Sequence, residues 1–123
     1  MSATPGRAFV FGDNVDTDVL APGLYMKKPI EEMARHCLEA LDPSFATTVR
    51  AGDVVVGGEN FGMGSSREQA AQALRVLGLD AVVAKSFAGL FFRNCINLGL
   101  APVECADAGR IKPGIGKIGR AHV

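Results

Sequence analysis

The chain of 123 residues, expected to form a single α/β domain over 1–123, is long enough for one modest core. Its 48% hydrophobic and 21% charged residues exclude a disordered or fibrous chain, and a formal net charge of zero without a basic stripe argues against a nucleic-acid partner. No apolar run approaches ~20 residues, so no membrane span is expected. Residues 1–6 lack the pattern of a signal peptide, which makes the cytoplasm the expected compartment.

Phe9, Val10 and Phe11 read as a first short strand, followed by the polar turn-rich loop Gly12 to Asp18. Val19-Leu20 is expected to be a short extended piece before Pro22-Gly23. After Pro29, apolar residues at Ile30, Met33, Ala34, Cys37, Leu38 and Leu41 recur at three and four positions, which predicts one helix up to Asp42-Pro43. Val54-Val55-Val56 is β-branched without alternation, as in a strand covered on both faces. A helix over Ser66 to Leu77, stopped by Gly78, comes next. Ala81 to Ala84 is a further strand, Phe87 to Leu98 a third helix, and Leu100 to Val103 a last strand with little to cover it. The alternation implies βαβ units and a largely parallel sheet.

Gly109 to Gly119 is glycine-rich and basic, without periodicity. Its continuation, Ile118 to Val123, matches one reading frame of a widely used sequencing adapter, so 118–123 are expected to be non-native and the natural chain longer. His122 is given no functional weight for that reason.

Cys37, Cys95 and Cys105 form no CxxC pair and no zinc pattern with His36 or His122, so no metal is expected on this chain. Chemistry concentrates instead in Gly58-Glu59-Asn60-Phe61-Gly62-Met63-Gly64-Ser65-Ser66-Arg67-Glu68. Three glycines permit close backbone approach, and either Ser65 or Ser66 is placed to cap the following helix. First-turn amides and the helix dipole favour a carboxylate or phosphate, and Arg67 adds a fork for a carboxylate. The pattern is not a Walker A loop, a dinucleotide fingerprint or a serine-hydrolase elbow. A capped helix with a solvated arginine would use the same residue types. Asp16-Thr17-Asp18 could bind a divalent cation, orient a catalytic group or cap turns. Tyr25-Met26-Lys27-Lys28 offers two cations before a helix, or a solvated loop.

Together these segments resemble the small subunit of the aconitase superfamily, most closely that of 3-isopropylmalate dehydratase. The glycine loop carries most of the resemblance. Asp13-Asn14-Val15-Asp16-Thr17-Asp18-Val19-Leu20-Ala21-Pro22 is similar to the family's first loop, and Phe91-Phe92-Arg93-Asn94-Cys95-Ile96-Asn97-Leu98-Gly99-Leu100 to its third signature.

The resemblance implies a swivel domain of three layers, β/β/α. It implies a separate large subunit carrying a 4Fe-4S cluster on its own cysteines, with no cofactor bound by this chain. The reaction implied is dehydration and rehydration of a small hydroxy acid, most closely the isomerisation of 3-isopropylmalate and 2-isopropylmalate in leucine biosynthesis. Ser65 would be the base, needing a dry site with donors and cations nearby. Asp18 would orient groups near the cluster side. Arg67, Ser66 and Lys27 would meet the substrate, while Gly62, Gly64, Asn60, Thr17, Arg93 and Asn94 would support the site. Lysine at 27, where some relatives have arginine, leaves the substrate open between an isopropylmalate, a dimethylmalate and a homoaconitate. The reading outside enzymes is a non-catalytic anion-binding module.

Overall fold

The computed structural model describes residues 6–64 and 67–115. Ser65, Ser66 and the 118–123 segment lie outside the described residues. Strand β1 (Arg7–Val10) is followed by three short helices, α1 (Thr17–Leu20), α2 (Ile30–Ala34) and α3 (Phe45–Thr48), with a 3₁₀ turn at Gly23–Tyr25. Then come β2 (Val54–Gly57), α4 (Glu68–Val76), β3 (Ala81–Ala84), α5 (Gly89–Asn97), β4 (Ala101–Glu104), a 3₁₀ turn at Ala108–Arg110, and β5 (Gly114–Ile115). The sheet order is β4-β3-β2-β1-β5. The first four of these strands pair in parallel, and β5 runs antiparallel to β1.

Alternation along the strands divides the core. Phe9, Phe11, Val55, Val82 and Ala84 face the helices, where they meet Met33, Leu74, Phe91 and Cys95. Ala8, Val56 and Val83 face the other way and are covered, among the described residues, by Cys105, Ala108 and Ile111. Phe45 on α3 is fully buried and meets Phe9 and Phe11 edge-on, at 5.1 and 5.8 Å between centroids. At the start of β2, buried Asp53 accepts from the Arg7 amide (2.8 Å), the Arg50 amide (2.8 Å) and the Arg7 guanidinium (3.0 Å). Burial works to raise its pKa, but these donors outweigh burial and hold the carboxyl below its ordinary value.

Several expectations need correction. Val19-Leu20 is the end of α1, not an extended piece, because Asp16 caps that turn by accepting from the Asp18 amide at 2.7 Å. The helix after Pro29 ends at Ala34 rather than near Leu41. Leu38 takes φ 62°, and its amide donates to the Val19 carbonyl at 2.9 Å, a bond that a continuing helix could not make. Successive turns keep Cys37 and Leu38 buried, so the apolar stripe survives without the helix. The N-cap of α4 is Arg67, at φ −70° and ψ 130°, not a serine. β5 lies in the glycine-rich stretch that shows no periodicity in the sequence. β4 is the expected thinly covered strand, at the sheet edge with Ala101, Val103 and Glu104 exposed.

Candidate functional site

Parallel strands deliver their following loops to one end of the sheet, where ligands of open α/β folds gather. Here the loops after β1, β2 and β3 continue the pairing beyond the strands. The Gly58 amide donates to the Gly12 carbonyl (3.0 Å), the Asn14 amide to Glu59 (2.8 Å), the Gly62 amide to Val15 (2.7 Å), and the Thr17 amide to Met63 (2.8 Å). On the other side the Phe61 amide donates to Ser86 and the Ala88 amide to Phe61, both at 2.9 Å. Side chains lock the same seam. Asp13 Oδ1 accepts from the Glu59 amide at 2.8 Å, and Ser86 Oγ accepts from the Asn60 amide at 2.7 Å. The glycine loop is therefore the middle strand of a knit of three loops.

Two glycines in it are fixed by contact. Gly62 has φ +85°, and a Cβ there would stand 2.2 Å from Phe91 Cγ on α5. Gly64 has φ +108°, and a Cβ there would meet Asp16 Oδ1 at 2.7 Å and Thr17 Oγ1 at 3.1 Å. Thr17 is fully buried, and its hydroxyl has no partner among the described residues. Asn60 tolerates φ 60° as asparagine can, and its amide nitrogen reaches Asn14 Oδ1 at 3.5 Å.

Arg67 and Asp18 meet across this knit. Arg67 Nη1 donates to Asp18 Oδ1 at 2.8 Å and to the Ala21 carbonyl at 3.2 Å. The same Asp18 oxygen accepts from the Gly23 amide at 3.0 Å. The Arg67 guanidinium first, and then the Gly23 amide, hold the Asp18 carboxyl below its ordinary value. Asp18 also gives the arginine a counter-charge at the positive end of α4, where a cation is otherwise unfavourable. Arg67 Nη2 and Nε make no hydrogen bond among the described residues, and two parallel donors on one guanidinium edge match the geometry of a carboxylate.

Of the residues singled out in sequence, Asp18, Arg67, Thr17, Asn60, Gly62 and Gly64 come together. Lys27 is exposed beyond the 3₁₀ turn that Asp18 holds, and it forms no ion pair among the described residues. Ser65 and Ser66, between Gly64 and Arg67, lie outside the described residues. Arg93 is exposed and Asn94 half-buried on α5, and neither makes a side-chain hydrogen bond among the described residues. Their signature contributes Phe91 instead, with Phe61 and Phe87 packed on it at 5.5 and 6.2 Å. The four-residue spacing of Phe87 and Phe91 is the trace of that support in the sequence.

Among the described residues no three His, Cys, Asp or Glu side chains stand together as a metal site. Cys37 and Cys95 are fully buried, and burial pushes the Cys95 thiol up to about 12, with Cys37 raised further, so neither is a ready thiolate ligand. These residues do not fit an iron–sulfur cluster.

The model of the aconitase C-terminal domain matches residues 19–108, which include the Asp18-facing turn, the glycine loop and α5. The chain belongs to the aconitase C-terminal domain family. Within that family it groups with the 3-isopropylmalate dehydratase small subunits. It is 53% identical over 111 residues to 3-isopropylmalate dehydratase small subunit 1 of Archaeoglobus fulgidus, covering 89% of this chain and 68% of that one. It is 52% identical over 110 residues to the methanogen homoaconitase small subunit of Methanocaldococcus jannaschii, covering 89% of this chain and 64% of the other. A crystal structure titled 3-isopropylmalate dehydratase, also from Methanocaldococcus jannaschii, superposes with a TM-score of 0.84 at 50% identity, over 90% of this chain and 66% of that chain. The chain thus spans about two thirds or less of the length of most of the relatives it matches. The family's fold is the three-layer swivel domain, of which the helical layer and the sheet β4-β3-β2-β1-β5 lie among the described residues.

Proposed function

We propose that this chain is the small subunit of a heteromeric iron–sulfur hydro-lyase that isomerises a hydroxy-dicarboxylate, 3-isopropylmalate to 2-isopropylmalate or the reverse. The observation that carries the reading is Arg67, held on one nitrogen by Asp18 and Ala21 with its remaining edge unpaired among the described residues. That edge grips a substrate carboxylate in two parallel bonds. The glycine loop, bonded through the Met63 carbonyl to the Thr17 amide, brings backbone to the same end of the sheet.

Ser65 Oγ takes the proton from the carbon next to the gripped carboxylate. Hydroxide leaves the neighbouring carbon, so the net loss is one water and the product is the alkene acid. Return of water in the opposite register completes the isomerisation. Asp18 acts through Arg67, setting its direction. The 4Fe-4S cluster belongs, on this proposal, to the large partner subunit. No helix among the described residues is long and apolar enough to cross a membrane.

The homoaconitase relative supports a second reading of the substrate alone, a longer acid with a third carboxylate that Lys27 would meet. The test is turnover of the complex with its large subunit. Ser65→Ala should lower kcat by about a thousandfold or more with KM little changed, and Arg67→Ala should raise KM by at least about tenfold. Near-normal kcat in Ser65→Ala would remove Ser65 as the base.

A further inference from the structure

Tyr25 is the one tyrosine of a chain without tryptophan. It closes the 3₁₀ turn Gly23–Tyr25 and lies flat on the His36 imidazole, with ring centroids 3.7 Å apart and planes within 6°. His36 Nδ1 is 2.8 Å from Glu39 Oε1, which fixes the plane of the imidazole. At its other end the same turn is tied to the site. The Gly23 amide donates to Asp18 Oδ1, the oxygen that takes Arg67 Nη1, and a Cβ on Gly23 would stand 3.6 Å from Arg67 Nη2.

The turn is therefore pinned twice, by the ion pair of the carboxylate site and by an aromatic clamp outside it. Between and beyond the pins stand Leu24, 84% exposed, and the exposed cations Lys27 and Lys28. With Gly23 this close to Arg67, a substrate carboxylate held there would bring its other substituent towards this segment. A flat stack of two planar rings tolerates little rotation, so the clamp sets where the segment stands.

We propose that His36, by stacking on Tyr25 and bonding to Glu39, is a positioning residue for substrate selection that fixes the Gly23–Lys28 segment relative to Arg67. The inference rests on the hydro-lyase reading of the Arg67 site and adds what decides between substituents there. His36 touches neither substrate nor reacting atoms. Its loss changes recognition rather than chemistry.

Two probes test it in the complex with the large subunit. One is the KM for 3-isopropylmalate. The other is the inhibition constant of isocitrate, which carries a carboxymethyl arm in place of the isopropyl group. His36→Ala should change the ratio of the two constants by about tenfold, with kcat for isopropylmalate within about twofold. His36→Phe keeps a flat ring under Tyr25 and should restore the ratio. An unchanged ratio, a loss in kcat alone, or failure of His36→Phe to restore would overturn the inference.

The full chain alone supplies an arm that needs no turnover. Tyr25 emission should change on adding malate to the wild-type chain, and should not change in Arg67→Ala. Silence of Tyr25 towards malate in the wild type would break the link between turn and site and overturn the proposal. A Tyr25 response alongside a complex inactive on isopropylmalate would leave the clamp standing and remove the hydro-lyase reading.

Discussion

Asp18 and Arg67 lie 49 residues apart in sequence, and their pair is the hinge of the site. Asp18 is 61% exposed as a side chain and Arg67 28%, so the pair adds little to stability, on the order of 1 kcal/mol or less. Its effect is directional. Asp18→Asn keeps the shape and the acceptor for Gly23 but drops the counter-charge. The expected outcome is a melting temperature within a few degrees of wild type and a KM raised about tenfold, read by thermal melting and steady-state kinetics. Because Arg67 and then Gly23 hold the Asp18 carboxyl below its ordinary value, the pair persists as pH falls through about 4. An acid limb in the pH profile arising from Asp18 should therefore lie below that value, and Asp18→Asn should remove it. By residue type alone the Asp16 and Asp18 carboxylates are alike, and only the family resemblance singles out Asp18. Two residues of offset on one turn put Asp16 on a backbone amide and Asp18 on an arginine, a division that only the three-dimensional meeting with the second loop decides.

The glycine loop is an element whose shape depends on a helix that comes after it. Phe91 of α5 fills the space beside Gly62, and Phe91 is fully buried and cannot retreat. Gly62→Ala combines a positive φ with a clash at 2.2 Å and should destabilise by about 3 kcal/mol or more, measured by denaturant unfolding. Phe91→Leu in the same chain should make the two losses non-additive, since it relieves the contact it also weakens. At this scale the sheet strands and the two nine-residue helices were legible. β2, β3, α4, α5 and β4 each carry a run or a period that packing on the sheet requires. The short helices were not. α1 and α3 have four residues each, and their form is set by a capping aspartate and by Phe45 seeking Phe9 and Phe11. The turns after α2 kept a helical apolar spacing while the backbone left the helix to bond Val19.

For the whole molecule, the sheet is closed at the base by Asp53 and opened for chemistry at the other end. Asp53 holds the start of β1 to the start of β2 through the Arg7 and Arg50 amides and the Arg7 guanidinium. Asp53→Asn should cost about 1.5–3 kcal/mol, the range for hydrogen bonds to a charged group. The sign with pH follows from its lowered pKa. The unfolded chain binds the proton more readily, so the contribution of Asp53 is complete above about 4 and is lost as pH falls through the lower folded value. Urea unfolding at pH 6 and pH 3 should show wild type losing more stability on acidification than Asp53→Asn.

The same scale explains why the family could be read from three loops. Parallel strands must deliver consecutive loops to one end, so motifs far apart in sequence become one surface. The clamp of Tyr25 by His36 left no such trace, because a stacking pair has no fixed spacing.

Formation of the unsaturated acid from 3-isopropylmalate, followed anaerobically by ultraviolet absorbance, tests the central claim most directly. It should be measured for this chain alone, for the large subunit alone and for the two combined. Absorbance should grow in the combined sample only, abolished there by Arg67→Ala at low substrate and recovered in part at high substrate. Growth in this chain alone, or an Arg67→Ala complex with unchanged KM, would contradict it.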